Sequence, residues 1–376
     1  MPKSIHFAII THVLHNKEES HLSGYAPYIR EMNIWFKYVD EVSIVAPLLK
    51  TGPTAINSVY EHEKINFVKI PTLNFTSFKK ICSSLFKLPI LLCRIFWTMK
   101  KADHIHLRCP GNIGLLGCLV QIFFPNKIKT AKYAGNWDPK SKQPWSYRLQ
   151  KYILNNTFLT RNMQVLVYGN WEKQSKNIRP FFTATYSEAE KEIVEKPGFD
   201  TVLEFIFVGS LVSGKNPMYA VQLVEQLIKK GRKAVLNLYG EGIERNVLVD
   251  YIKKNKLGEY IILQGNQSKE VVTEAYKKSH FVVLPSKSEG WPKAIAEGMF
   301  WGCVPVATKV SCLPFMLDFG NRGILLEMDL EEDIAKIEGI ITKEDVFFAI
   351  SKLAADWSQQ YTTSLFETEI AKLLVK

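Results

Sequence analysis

The 376-residue sequence predicts an α/β protein of two Rossmann-like, doubly wound parallel-sheet domains facing a cleft. Three observations predict it. Short β-branched runs alternate with longer amphipathic ones, the pattern of a parallel sheet with helices on both faces. The alternation breaks once, at EKPGFDT (195–201), which combines Pro, Gly and charge, and then restarts. The length itself suits two domains better than one.

In chain order, SIHFAII, EVSIVAP, INFVKI, HIHLR, KTAKYAG and QVLVYG read as strands of the first domain. Between them YAPYIREMNIWFKYV, SFKKICSSLFKLPILLCRIFWTMKK, IGLLGCLVQIFF and PWSYRLQKYILNNTFL read as helices. The opening MPKSIHFAIITHVLH is broken by His6 and His12 and lacks a small-residue cleavage site, so it reads as a first strand and not a signal peptide. After the linker, FIFVGSL, AVLNLYG, YIILQG, FVVLPS and VPVAT read as strands. PMYAVQLVEQLIKKG, RNVLVDYIKKNKL, KEVVTEAYKKS and PKAIAEGMFWG read as the helices between them. Gly231 falls where a helix C-cap belongs. The expected organisation is a first domain over 1–198, a second over 202–345, and helices over 346–376 crossing back to the first.

Composition narrows the class. Hydrophobic residues make up 47% and charged residues 23%, as in folded soluble proteins. No window reaches 18 apolar residues without charge, so no spanning helix is expected. Six single cysteines without a CxxC indicate neither a zinc site nor a disulfide framework, and fit a reducing compartment. The net charge of +11 is lopsided: 27 Lys and Arg against 15 Asp and Glu in 1–200, 21 against 22 in 201–376. Within 51–180 the ratio is 20 to 5. A basic domain joined to a neutral one implies an anionic partner for the first: lipid headgroups, nucleic acid or a phosphorylated substrate. The plainer reading is that the lysines only keep the chain soluble.

In open parallel sheets ligands sit beyond the carboxyl ends of the strands. There the second domain carries VGSLVSGKNP, with Gly209 and Gly214 for close backbone approach and Lys215 as a point cation. It also carries YGEGIER, with Gly240, Gly242 and Arg245, and the polar loop QGNQS with Asn266. The last stretch is SEGWPKAIAEG. Pro292 is expected as the first residue of a helix whose N-terminus, with Lys293, would attract an anion. Glu289 would precede that helix and Glu297 lie about 7–8 Å into it. Ala294, Ala296 and Gly298 keep it slim. Two carboxylates flanking an anion site suit a diphosphate with hydroxyls at both ends. Glu297 alone reads equally well as a dipole partner or a buried salt bridge; Glu289 with Gly290 is more suggestive, though loop acids are common.

Together these stretches resemble the donor domain of family 4 glycosyltransferases, retaining enzymes of the GT-B fold. SEGWPKAIAE matches the E-x7-E motif at Glu289 and Glu297, and CVPVATKV the Pro-Val-[VI]-Ala segment after it. VGSLVSGKNP matches the V-G-R-L-x3-K-G loop in spacing, and YGEG the glycine turn; the close match covers about 205–330. The resemblance implies that Glu289 contacts the sugar and Glu297 the ribose. It implies that Lys215 binds the diphosphate, and that backbone around Gly290, Trp291, Pro292 and Lys293 holds phosphate or sugar. Lys215 and Glu289 would then be catalytic, as transition-state binders. It implies no metal and no cofactor, only a nucleotide-sugar substrate, UDP- or GDP-linked. Departures stand out. Ser210 replaces the diphosphate arginine, for which Lys293 or Arg245 would compensate; Ser311-Cys312 replaces a Gly-Gly, and Phe315 an acid.

The first domain would receive the acceptor. Ser23-Gly24 resembles the family's Gly-Gly loop. His12, His15 and His21 around it are spaced too unevenly for a metal and read as loop surface. DHIHLRCPGNIG resembles a family strand end; His106 is either packed or functional, and Arg108, expected just past the strand, is the better acceptor ligand. In YAGNWDP, Asn136, Trp137 and Asp138 stand where the family places a His, and Trp137 suits either a sugar ring or the core. Residues 77–101 carry five Lys, one Arg and no acid. They read as a helix lying on an anionic membrane surface, or as an ordinary helix with a basic face. The expected protein is thus a cytoplasmic glycosyltransferase, peripheral on the inner membrane face, extending a surface glycan or lipid-linked oligosaccharide. The alternatives are a phosphorylase or synthase with a small acceptor and, more remotely, a basic nucleic-acid-binding protein. The latter shows no RNP, KH or zinc signature.

Overall fold

In a computed structural model the chain divides into two compact units: 1–182 with 366–376, and 183–365. The structure describes residues 4–18, 21–49, 52, 57–73, 78–199 and 202–374.

The first unit is built on a parallel seven-stranded sheet. Its strands run β1 (His6–Ile10), β2 (His15–Glu18), β3 (His21–Tyr25), β4 (Glu41–Pro47) and β5 (Asn57–Val59). Then come β6 (Ile65–Ile70), β7 (His104–Cys109), β8 (Ile128–Tyr133), β9 (Met163–Tyr168) and β10 (Ile178–Phe181). The sheet order is β10-β9-β8-β7-β1-β4-β6. The helices are α1 (Ala26–Phe36), α2 (Phe78–Lys101), α3 (Asn112–Val120) and α4 (Trp145–Leu154). Strands β4 and β8 are buried along nearly their whole length, on both faces, as a doubly covered sheet requires. Ile10, Val45, Ile105, Leu107 and Val165 from the sheet meet Leu91, Ile95 and Met99 of α2 in the core.

Two features were not expected. Strands β2, β3 and β5 form a small antiparallel sheet. The reading of His15 as loop surface is therefore corrected: it is buried on β2, its Nδ1–H donating to the Val13 carbonyl (2.8 Å) and its Nε2 accepting from Tyr60 Oη (2.8 Å). Burial holds its pKa down at about 4, so it is neutral. Strand β10 adds a seventh strand at the sheet edge, where Pro180 costs no ladder bond.

The second unit has a parallel six-stranded sheet: β11 (Leu203–Val208), β12 (Ala234–Tyr239), β13 (Ile261–Gly265), β14 (Phe281–Leu284), β15 (Val304–Thr308) and β16 (Ile324–Leu326). Its order is β13-β12-β11-β14-β15-β16. The helices are α5 (Pro217–Lys229), α6 (Arg245–Lys254), α7 (Lys269–Lys278), α8 (Lys293–Phe300), α9 (Leu313–Met316), α10 (Leu330–Ile341) and α11 (Glu344–Ser358). Helix α12 (Thr363–Leu374) begins in this unit and ends in the first. At the end of α5, Gly231 (φ 83°) donates to Ile228 and Arg232 N–H to Leu227, a Schellman cap. Each unit is a doubly wound, Rossmann-like parallel sheet, as expected.

The expected boundaries move. EKPGFDT, apart from residues 200 and 201, which lie outside the described residues, belongs inside the second unit and does not separate the two. Buried Lys196 explains this. Its ammonium donates to the carbonyls of Tyr276 (2.7 Å), Lys277 (3.1 Å) and Ser279 (2.8 Å), capping α7 with a cation. The chain crosses earlier, after Phe182. Of the terminal helices only 366–374 returns to the first unit; α11 stays with the second, its Ser351 and Ser358 hydroxyls bonded to the carbonyls of Gly302 and Ala296.

Candidate functional site

Sheet order locates the site. In the second unit the chain runs outward from β11 to β12 and β13, then returns to β14 on the other side of β11. The loops after β11 and β14 therefore flank the topological switch point, where open α/β sheets hold ligands. They are tied together. Lys287 N–H donates to the Gly214 carbonyl (2.9 Å), and Lys287 Nζ reaches Ser213 Oγ (3.0 Å). Across the same gap Lys215 Nζ meets Glu289 Oε1 at 2.5 Å. The two residues expected to be catalytic are thus joined in one ion pair. Glu289 is 6% exposed and Lys215 31%, so the acid is held inside while the cation keeps access to solvent.

The glycine turn after β12 has a structural reason. A Cβ on Gly240 would lie 2.0 Å from the Gly209 carbonyl oxygen, and one on Gly242 would lie 2.3 Å from that of Leu211. These two glycines let the loop press against 209–211, where Leu211 N–H donates to Glu241 O and Glu244 N–H to Leu211 O. Ser210 lies exposed in the same loop. Asn216 stands where the motif quoted above carries its second glycine. It adopts φ 53°, the left-handed conformation that Asn tolerates better than most residues. Ser311, at the motif's Gly-Gly, likewise holds φ 52°.

Helix α8 starts at Lys293, so the expectation of Pro292 as first helical residue is corrected: Pro292 is the N-cap, and its carbonyl receives Ile295 and Ala296 N–H. Lys293 N–H already donates to the Trp291 carbonyl (2.9 Å). The Gly290 carbonyl receives Ser311 Oγ and Cys312 Sγ, both at 3.3 Å. A Cβ on Gly298 would sit 2.6 Å from Val282, so α8 lies directly on β14 and the slim face expected here is a packing requirement. Trp291 is buried, its ring 5.8 Å from Tyr361 and 6.3 Å from Trp357.

Glu297, one turn further, is held by different groups. Thr185 Oγ1 donates to its Oε1 at 2.7 Å. Burial pushes its pKa up, against the pull of the Thr185 hydrogen bond and of Lys293 and Lys269. The structure thus gives the two acids of the motif separate partners. Arg245 is committed to Glu241, 2.9 Å away, and Asn266 is exposed beyond β13.

Sequence reasoning missed Thr185, Tyr186, Trp357 of α11 and Tyr361 just past its end. Tyr186 packs its ring 4.7 Å from Phe300 and 5.0 Å from Trp301, behind α8. Arg322 stacks 4.8 Å over Trp357. No local pattern marks these residues; apart from the Trp357–Tyr361 ring pair, the partners named here lie far along the chain.

The acceptor candidates of the first unit are largely spent on packing. Arg108 lies within β7 and not past it, and its guanidinium pairs with Glu31 of α1 (3.0 Å) over the ring of Tyr28. Lys132, fully buried, approaches the same carboxylate at 3.6 Å and donates to the Phe182 carbonyl. Trp137 is 2% exposed, its indole N–H donating to Gln174 and its ring edge-on to Tyr133 at 4.8 Å. Asn136 and Asp138 accept backbone N–H groups of Asp138 and Lys140, shaping their own loop. Gly24 lies on strand β3, not in a loop, where a Cβ would be crowded, 3.2 Å from both Leu14 O and Ile29 Cδ1. His106 is fully buried and shares Thr130 Oγ1 with His104. Among the described residues no group of three or more His, Cys, Asp or Glu is placed to hold a metal ion.

Residues 189–360 match the family model described as "Glycosyl transferases group 1". The chain is 25% identical over 188 residues to the uncharacterized glycosyltransferase MJ1178 of Methanocaldococcus jannaschii, spanning 50% of this chain and 51% of that protein. Among solved structures, sucrose-phosphate synthase from Thermosynechococcus elongatus superposes with a TM-score of 0.69 at 17% identity, over 98% of both chains. Anabaena Alr3699/HepE in complex with UDP and glucose superposes at 0.68 and 14%, again over 98% of both. The structural likenesses are likenesses of fold. The enzyme class expected from the sequence is the class of the family model and of this relative.

Proposed function

We propose that the chain is a retaining glycosyltransferase of the family 4 type. It takes a sugar from a nucleotide-sugar donor, UDP- or GDP-linked, and needs no resident cofactor. The acceptor is a growing glycan or lipid-linked oligosaccharide of a surface polysaccharide, met by the first unit at the inner face of a membrane. The observation that carries this reading is the Lys215–Glu289 pair across the switch point of the second sheet. The matched family segment, which contains both residues, supports the reaction class. The UDP and glucose named with HepE support a uridine-linked donor.

On this reading Lys215 faces the leaving diphosphate, where negative charge grows as the glycosidic bond breaks and the sugar gains oxocarbenium character. Glu289, pre-placed by Lys215, accepts hydrogen bonds from sugar hydroxyls. The first turn of α8 adds a partial positive charge behind the phosphates. The acceptor hydroxyl passes its proton to the departing phosphate, so no strong protein base is required. A thermal-shift panel of UDP, GDP, ADP and their sugars tests the proposal. One diphosphate and its sugar should raise Tm by mass action, and the Glu289→Ala variant should lose the extra shift given by the sugar. A panel with no shift at millimolar ligand sinks it.

A further inference from the structure

Helix α2 is apolar on two opposite faces. Leu91, Ile95 and Met99 enter the core of the first unit. Phe86, Ile90, Cys93 and Trp97 stand outside: Phe86 is 85% exposed, Ile90 53% and Trp97 51%, and Cys93 is exposed too. At about 100° per residue these four fall within about 60° of arc, in a stripe about 16 Å long, opposite the buried row. The surface continues beyond the helix, because Phe96 joins Trp97 (5.9 Å) to Phe123 (6.4 Å), itself 72% exposed.

A core helix needs one apolar face. The second leaves large side chains in water, which marks an interaction surface. Its rim is cationic. Lys87 and Arg94 lie on one flank, about 80–100° round from Phe86. Lys100 and Lys101 close the C-terminal end, with Lys100 Nζ 4.7 Å over the Trp97 ring. The helix contains no acid, and 51–180 holds 20 Lys and Arg against 5 Asp and Glu. An aromatic-bearing apolar stripe edged by Lys and Arg complements an anionic bilayer, where the rings enter the headgroup boundary and the cations meet lipid phosphates. No helix among the described residues is long and apolar enough to cross a membrane, so the helix would lie in the surface.

We propose that the outer stripe of α2, Phe86–Ile90–Cys93–Trp97 extended by Phe123, is the face by which the protein docks on an anionic lipid bilayer. This deepens, and rests on, the reading that the acceptor is carried at a membrane. The test is co-sedimentation of the full chain with phosphatidylglycerol–phosphatidylcholine vesicles and with pure phosphatidylcholine vesicles. Wild type is compared with a Phe86→Ser, Ile90→Ser variant, whose Tm should match because both side chains are exposed. Wild type should partition onto the anionic vesicles at least about tenfold better than the variant, and better than onto neutral ones. Equal binding of wild type and variant, or wild type left in the supernatant, overturns the proposal. So does a wild-type dimer that the variant breaks while vesicles capture neither, which would assign the stripe to a second copy. The nucleotide thermal-shift panel is run on both proteins. Docking with no nucleotide shift leaves this proposal standing and removes the donor reading; the reverse result does the opposite.

Discussion

The two units share a topology and use charge in opposite ways at the same place. Each sheet reverses its strand order once, between β1 and β7 in the first unit and between β11 and β14 in the second. Beside the first reversal, Glu31 is sandwiched with Arg108 and Lys132, and all three lie under side chains: Glu31 is 6% exposed, Arg108 14% and Lys132 0%. In the second, Glu289 is equally enclosed, but its partner Lys215 keeps 31% exposure on a loop held by backbone bonds. Buried charge that is fully paired serves cohesion. Charge held at a rim by a rigid loop remains available to a ligand. The same topology therefore turns charge inward at one switch point and leaves a cation open to solvent at the other.

That contrast can be broken in order of expected effect. Glu31→Ala leaves two cations without their carboxylate and should cost about 3–5 kcal/mol in urea unfolding; an unchanged midpoint would mean the cluster is not cohesive. Lys215→Ala and Glu289→Ala should each lower turnover by about two orders of magnitude or more. Glu289→Ala should leave Tm close to wild type, since the lysine it strands keeps 31% exposure to solvent. Near-normal rates in both variants would dissolve the site. Gly242→Ala drives a methyl into the Leu211 carbonyl and should cost about 1–3 kcal/mol, with weaker nucleotide binding as the 209–215 loop shifts.

Glu297 sharpens the comparison by pH. Its folded pKa is raised above 4.5, so the folded state holds the proton more tightly than the unfolded one. Stability from this group is present below 4.5 and is lost as pH rises through the raised value. Glu297→Gln, which still accepts from Thr185, should therefore gain Tm over wild type at about pH 8 and little or nothing at about pH 4.5. His15 runs the other way: with its pKa held down at about 4, its contribution is present above 6.5 and is lost as pH falls from there through about 4. The smallest effect is Ser311→Gly, which relieves a left-handed serine and should raise stability by up to about 1 kcal/mol in thermal unfolding.

The parallel sheets were legible because strands buried on both faces read as unbroken apolar runs, as FVVL and VPVAT do. The antiparallel trio was not. HNKE and HLSGY are too polar to announce a strand, and the residue that bonds to both, Tyr60, lies far along the chain: its N–H donates to the Leu22 carbonyl and its hydroxyl to His15. Pro180 hid β10, since a proline argues against a central strand and says nothing of an edge. The Lys215–Glu289 pair followed from loops at neighbouring strand ends, a consequence of topology that spacing can reach. Lys196 and Thr185 were invisible because each acts 80 or more residues away, on α7 and α8. KTAKYAG also misled on charge: Lys129 and Lys132 count toward the basic excess yet are buried in β8, where burial lowers the Lys129 pKa to about 8.

Helix α12 brings one further consequence. Phe366 packs its ring 5.6 Å from Phe181 and 5.8 Å from Phe182, and Lys132 Nζ lies 5.1 Å from it. The ribosome delivers this piece of the amino-terminal unit only after every residue of the other unit has emerged. During synthesis the nascent amino-terminal unit must wait with those phenylalanines uncovered, while its younger neighbour can close first.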